Sequence, residues 1–218
     1  MRRLAWLFIG AGLALQIAFA QQTTIGCRTL QKTIDRAKLS STQAASALPN
    51  APSYRPPTQK ERACILIVSN VGPLALGRTA LFAAISLGLD TPPEWGQDAA
   101  GYGQRFGLRM AQFSAQSNTD YLLADALHED PRFFPCWNCS FKQKLQTAAR
   151  ETFTSPVGAD GHRRLSAAKL ISPFAGAVVS NEMNPNKSLT AGNVAQQSTV
   201  GFAGRFASNL FREFWATR

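Results

Sequence analysis

Apolar residues recur at helical spacing over five stretches of the chain, and none shows the two-residue alternation of a half-buried strand. The helices this pattern predicts run over 59–89 with a break near Pro73, 96–128, 140–154, 165–183 and 188–215. Thr58 and Glu61 mark the first start as a capping box, in which each side chain satisfies a backbone N–H that the first turn leaves free. Ser140 and Gln143 repeat that signature before the third helix. Gly72-Pro73, Thr91-Pro92-Pro93, Asp130-Pro131, Ser155-Pro156, Ser172-Pro173 and Asn184-Pro185-Asn186 mark further boundaries, because proline lacks the N–H that a helix interior uses. The expected fold is an all-α bundle of about five helices.

Three of these helices carry a small residue at every fourth position. On the second the row is Ala99, Gly103, Gly107, Ala111 and Ala115; on the fourth, Ala168, Ser172, Gly176 and Ser180; on the last, Ala191, Ala195, Thr199, Ala203 and Ala207. Positions four apart share a face, so each row predicts a flat groove where another helix backbone can approach closely. Bulky rows lie beside them, Phe106, Met110 and Phe113 on the second helix and Phe202, Phe206, Leu210 and Phe214 on the last. Gly103, Gly107, Ala111, Gly176, Ala203 and Ala207 are therefore the residues expected at helix–helix contacts.

Ahead of the bundle, residues 1–20 read as a secretory signal peptide: Arg2 and Arg3, an apolar stretch from Leu4 to Ile17, then the small-x-small site Ala18-Phe19-Ala20. Residues 21–58 are rich in Gln, Thr, Ser, Ala and Pro without a sustained apolar period, so a disordered tether is expected before a helical domain at 59–218. Export permits disulfides. Of the four cysteines, Cys27, Cys64, Cys136 and Cys139, only the last two have an informative spacing.

Composition narrows the class. With 45% hydrophobic and 17% charged residues among 218, the chain is neither a disordered nor a collagen-like sequence. Its formal charge of +10 falls to +8 without residues 1–20, which carry two arginines and no acid. That excess suits an anionic membrane surface, although charge also serves solubility. Residues 63–89 hold one charge, Arg78, and are long enough to cross a bilayer, which takes ~20 apolar residues. Flanking charge argues against a crossing: Lys60, Glu61 and Arg62 would stay outside while Asp90, Glu94 and Asp98 would face the cytoplasm, the reverse of the usual bias. Pro73 and the Ser69-Asn70 pair weaken it further. A buried or hairpin-like core helix is the reading preferred here, with the other helices too polar to span and the protein resting on a membrane surface or on copies of itself.

Candidate chemistry is sparse. Cys136 and Cys139 suit a local disulfide, a redox pair, or half of a zinc site completed by His128 and His162. Thioredoxin-type chemistry wants a strand before the first cysteine, and none is expected. The zinc set would have a spacing unlike that of common fingers, so the structural disulfide is favoured. In His128-Glu129-Asp130, neighbours on a helix point in different directions, and Asp130 has a sufficient role as a helix N-cap. Gly101-x-Gly103-x-x-x-Gly107 departs from the dinucleotide fingerprint. No nucleophile elbow, zinc-protease or phosphate-loop motif occurs, so neither a catalytic residue nor a cofactor is expected. Scattered basic residues behind an export signal argue against nucleic acid.

Several segments, in order, carry a resemblance. They are Leu48-Pro49-Asn50-Ala51-Pro52-Ser53, Val71-Gly72-Pro73, Pro93-Glu94-Trp95-Gly96, Gly101-Tyr102-Gly103-Gln104-Arg105-Phe106-Gly107, Glu129-Asp130-Pro131-Arg132-Phe133-Phe134, and Gly201-Phe202-Ala203-Gly204-Arg205-Phe206-Ala207-Ser208-Asn209 with Glu213-Phe214-Trp215. Together they resemble a group of exported bacterial envelope proteins of uncharacterised activity. The resemblance implies an exported helical domain and supplies no catalytic residues; Cys136 and Cys139 lie outside it. The function expected is that of a non-enzymatic cell-envelope protein, periplasmic or outer-envelope. The alternative is an envelope metal-binding or thiol-redox protein built on the CxxC motif.

Overall fold

A computed structural model describes residues 54–136, 139–158, 160–184 and 188–216. The expected signal peptide and most of the expected tether lie outside the described residues. The elements are α1 (Gln59–Val71), α2 (Pro73–Gly88), a 3₁₀ turn (Pro93–Trp95), α3 (Ala99–Ala126), α4 (Phe141–Phe153), β1 (Thr154–Val157), β2 (His162–Leu165), α5 (Ala167–Met183) and α6 (Ala191–Ala216). Counting α1 and α2 as one broken rod gives the five-helix, all-α bundle that the sequence suggests. The central helix α3 packs against α1 and α2 on one side and α5 on the other, while α6 lies on α5 and carries α4.

Both capping boxes form, Thr58 with Glu61 and Ser140 with Gln143. The rod breaks where backbone space demands glycine: a Cβ on Gly72 would lie 2.4 Å from the carbonyl oxygen of Val68. Pro73 then opens α2 at its first position, where a missing N–H costs nothing.

Three expectations about the elements need correction. Strand pairing is present: β1 and β2 form an antiparallel hairpin with Thr154 opposite Leu165 and Val157 opposite His162. Four residues per strand are too few to show alternation, and Pro156 reads as a helix boundary. Ser172-Pro173 lies inside α5 rather than at its end. The fold also begins before the capping box. Tyr54 donates a 3.0 Å hydrogen bond to Asp130, and its ring fills the space a side chain would need at Gly161, where φ is +68°.

Of the three small-residue rows, the one on α5 is buried along its whole length, with Ala168, Ser172 and Ser180 at 0% exposure. A Cβ on Gly176 would sit 2.6 Å from the carbonyl oxygen of Gln112 on α3. The row on α6 faces outward, and the row on α3 runs from exposed at Ala99 and Gly103 to half-buried at Gly107, Ala111 and Ala115. Nothing lies within 4 Å of a Cβ on Gly103 or Gly107; Ala191, Ala195, Thr199, Ala203 and Ala207 are exposed and Ala111 is half-buried. Close packing at Gly103, Gly107, Ala203 and Ala207 is therefore not made with any described residue. On α6 the inward small residues are Gly201 and Gly204, which approach Gln116 with Pro173, and Phe113.

On α2 and α5 the burial pattern is inverted relative to a water-soluble bundle, while α3 still buries Leu108, Met110 and Phe113. On α2 the buried residues are Ala75, Thr79, Ala83 and Ser86, whereas Leu76, Leu81, Ile85 and Leu89 are exposed. On α5, Ser172, Ser180 and Asn181 are buried while Ile171, Phe174 and Val178 face out. Among the largest fully buried side chains are Arg105, Gln112, Glu129, Glu151 and Glu213. Within 63–89, 99–124, 167–181 and 188–215 no Lys, Arg, Asp or Glu is exposed. Exposed charges sit instead near helix ends and in connections, at Arg55, Lys60, Glu94, Asp98 and Glu182, and on α4 and around the hairpin, at Lys142, Arg150, Asp160 and Arg164. The α1–α2 rod is accordingly not a buried core helix: only 17% of its most apolar 18-residue window is buried.

Candidate functional site

Side chains of all six helices and of the 131–133 loop, most of them polar, line a cavity of about 100 Å³, room for a small cluster of waters or one small anion. Five basic residues line it, Arg78, Arg132, Lys169, Arg205 and Arg212, against two acids, Asp120 and Glu151. Most of these charges have defined partners. The Lys169 ammonium donates to the carbonyls of Glu151 at 3.0 Å and Thr154 at 2.7 Å. The Glu151 carboxylate pairs with Arg163 of β2. Arg205 donates to the Ser172 hydroxyl at 2.8 Å and lies 3.3 Å from the Asp120 carboxylate.

Some groups remain unsatisfied. The Nε of Arg78 and an Nη of Arg205 are shut away from solvent without an acceptor, and one oxygen each of Asp120 and Glu151 lacks a donor. Arg78 lies with its guanidinium carbon 4.1 Å from the centre of the Phe113 ring. Like-charge repulsion from Arg212 and Arg205 reaches it, and no described carboxylate offsets that repulsion. Buried donors without acceptors are costly in a polar network, so Arg78 and Arg205 would each gain from an acceptor or negative group beside them, as the bare oxygens of Asp120 and Glu151 would from a donor.

Other buried charges have a structural explanation. Arg105, at 1% exposure, gathers the 90–96 loop by donating to the carbonyls of Thr91 at 3.1 Å, Gly96 at 2.5 Å and Pro92 at 2.7 Å. Gly101 lets that loop close, because a Cβ there would lie 2.3 Å from the Trp95 carbonyl oxygen. Glu129 accepts from the backbone N–H of Ala167 at 3.0 Å and from the Ser166 hydroxyl, thereby capping α5. Asp130 is not a helix N-cap. Its carboxylate takes the Arg132 guanidinium at 2.6–2.9 Å and the Tyr54 hydroxyl. Burial, then the neighbouring Asp130 charge, pushes the Tyr54 phenol up to about 12.

The residues singled out in the sequence do not form a site. Cys136 and Cys139 are joined as a disulfide, and the backbone N–H of Cys136 donates to Glu213 at 2.8 Å. His128 occupies an exposed turn with φ +53°, and His162 pairs with the exposed Asp160 at 3.0 Å. Among the described residues no group of three His, Cys, Asp or Glu is placed to hold a metal ion. Sequence reasoning missed Arg78 as a cavity residue and read the polar and basic residues of α3 and α6 only as making those helices too polar to span. The one available signal was that Arg78, Arg205 and Arg212 each interrupt an otherwise apolar or small-residue stretch.

Compared with protein-family models, curated proteins and solved structures, the chain matches none.

Proposed function

We propose that the chain is a non-enzymatic cell-envelope protein whose helical bundle sits in the apolar layer of a membrane, apolar faces outward and polar groups sequestered within. The observation that carries this reading is the inversion: over the four long stretches every charged side chain turns inward while Leu81, Ile85, Leu122, Ile171, Phe174 and Val178 face out. In water such a surface would associate; in hydrocarbon it is solvated, and ionisable groups then belong in the bundle interior. Lengths support it. The α1–α2 rod of 30 residues is, among the described residues, the one helix both long and apolar enough to cross a bilayer, which takes ~20 apolar residues; α3 and α6, of 28 and 26 residues, are close to it in length but more polar. Three of the six flanking charges that oppose a crossing are paired within the fold, Glu61 with Arg55, Arg62 beside Asp125, and Asp90 beside Arg105, while Lys60, Glu94 and Asp98 stay exposed.

Fractionation of an expressing bacterium tests this. Full-length protein should stay in the membrane pellet through both carbonate and urea washes. Recovery in the soluble fraction as a monomer would overturn the reading. A second reading, self-association, is favoured by the exposed row from Ala191 to Ala207, which leaves a flat helix face open. It would show instead as a washed-out but oligomeric species by light scattering.

A further inference from the structure

Between α2 and α6 runs an apolar groove of about 690 Å³, within the ~300–1,000 Å³ of small-molecule sites. Its walls include Leu74, Leu81 and Phe82 on α2, and Phe211 and Trp215 on α6, the last two stacked with ring centroids 5.4 Å apart. Arg78, Ser208 and Arg212 line both this groove and the basic cavity, so the two spaces meet at these three side chains. One end of the composite space is hydrocarbon-lined. The other holds a buried guanidinium Nε with no acceptor and a charge that no described carboxylate offsets.

We propose that this composite site binds a single-chain anionic amphiphile, a long-chain fatty acid, with its tail along the groove and its carboxylate among Arg78, Arg205 and Arg212. A carboxylate supplies the missing acceptors and relieves the repulsion among the arginines, and a guanidinium fork matches it in geometry. A tail on the walls of Leu81, Phe82 and Phe211 covers apolar surface that neither α2 nor α6 covers for the other. An inorganic anion would satisfy the arginines but leave the groove empty. This inference goes beyond the membrane reading and does not rest on it, since groove and arginines are the same whatever surrounds the outer faces.

The test is photo-cross-linking of the purified full-length protein, in an uncharged detergent, with a diazirine-bearing long-chain fatty acid, followed by peptide mapping. Cross-links should fall within 73–82 and 207–215. Arg78→Gln should lower their yield about tenfold or more, the loss of one charge-assisted hydrogen bond. Leu81→Trp, a change at an outward position that fills the groove, should do the same without touching the cavity. The fatty alcohol of equal length should label no better than the Arg78→Gln protein does with the acid. Equal labelling by acid and alcohol, labels spread over Ile171 and Val178, or undiminished labelling of both variants would overturn the proposal. So would displacement of the fatty acid by millimolar inorganic phosphate, which would mark the arginines as a free-anion site. None of these outcomes bears on whether the protein fractionates with membranes, so the two readings fail separately.

Discussion

Replacing Gly176 by alanine tests the packing seam between α3 and α5, and the same change at Gly107 supplies its control. In a helix interior alanine is favoured over glycine by about 0.8–1.0 kcal/mol. At Gly107 nothing lies within 4 Å of the added methyl, so Gly107→Ala should keep that whole gain and raise Tm by about 2–4 °C for a domain of this size. At Gly176 the methyl would stand 2.6 Å from the Gln112 carbonyl oxygen and 3.3 Å from the Gln116 Cβ. A backbone oxygen cannot swing aside as a flexible side-chain end can, so the two helices must part along their seam. Overpacking of this kind costs about 1–3 kcal/mol. The propensity gain is then cancelled or reversed, leaving Gly176→Ala about 0–2 kcal/mol less stable than the parent. The difference between the two variants isolates the clash. Thermal unfolding of both proteins, followed by far-ultraviolet circular dichroism in one detergent, reads it. If Gly176→Ala gains as much as Gly107→Ala, the close approach of α3 and α5 is wrong, and the inward assignment of the polar faces falls with it.

Arg105→Met should destabilise the fold by at least ~2 kcal/mol, since it strips the carbonyls of Thr91, Pro92 and Gly96 of their common donor. Hydrogen exchange should localise the loosening to residues 89–98, and unchanged protection there would contradict the clamp. Tyr54 gives a pH dependence. Its phenol lies at about 12 in the fold against ~10 in an unfolded chain, so its contribution is complete below pH ~10 and is lost as pH rises toward 12. Stability of Tyr54→Phe should therefore change less than that of the parent between pH 10 and 12, and parallel curves would refute the Asp130 contact. Glu129→Ala should fray the start of α5, costing about 0.5–2 kcal/mol as lost caps do. Denaturant titration measures it, with Glu129→Gln keeping part of the loss back because an amide oxygen still accepts.

Element positions were legible because caps and prolines act locally. Thr58 with Glu61, Ser140 with Gln143, and Gly72-Pro73 each set a boundary through bonds to their own turn. The hairpin was not legible, since four-residue strands around Gly158 and Gly161 leave no pattern long enough to recognise. Orientation was harder. A row such as Gly103 and Gly107 tells that two small residues share a face, but not whether that face meets a helix, water or lipid. Its neighbour row Arg105, Arg109, Gln112 and Gln116 makes the helix too polar to span by composition alone, and only tertiary structure shows that the row fills the interior. Arg78 illustrates the same limit: one charge in an otherwise apolar stretch says nothing of its surroundings until Arg205 and Arg212, more than a hundred residues later, are seen beside it.

The central claim is that the apolar faces of α2 and α5 are solvated by lipid. Genetically encoded spin-label amino acids at Leu81, Ile85, Ile171 and Val178, with Lys142 and Arg164 as references, test it in phospholipid vesicles while the native disulfide stays intact. Relaxation by dissolved oxygen should dominate over relaxation by a water-soluble nickel chelate at the first four positions, and the order should reverse at the two references. Chelate accessibility at Leu81 and Val178 equal to that at Lys142 would contradict the inverted, membrane-embedded bundle.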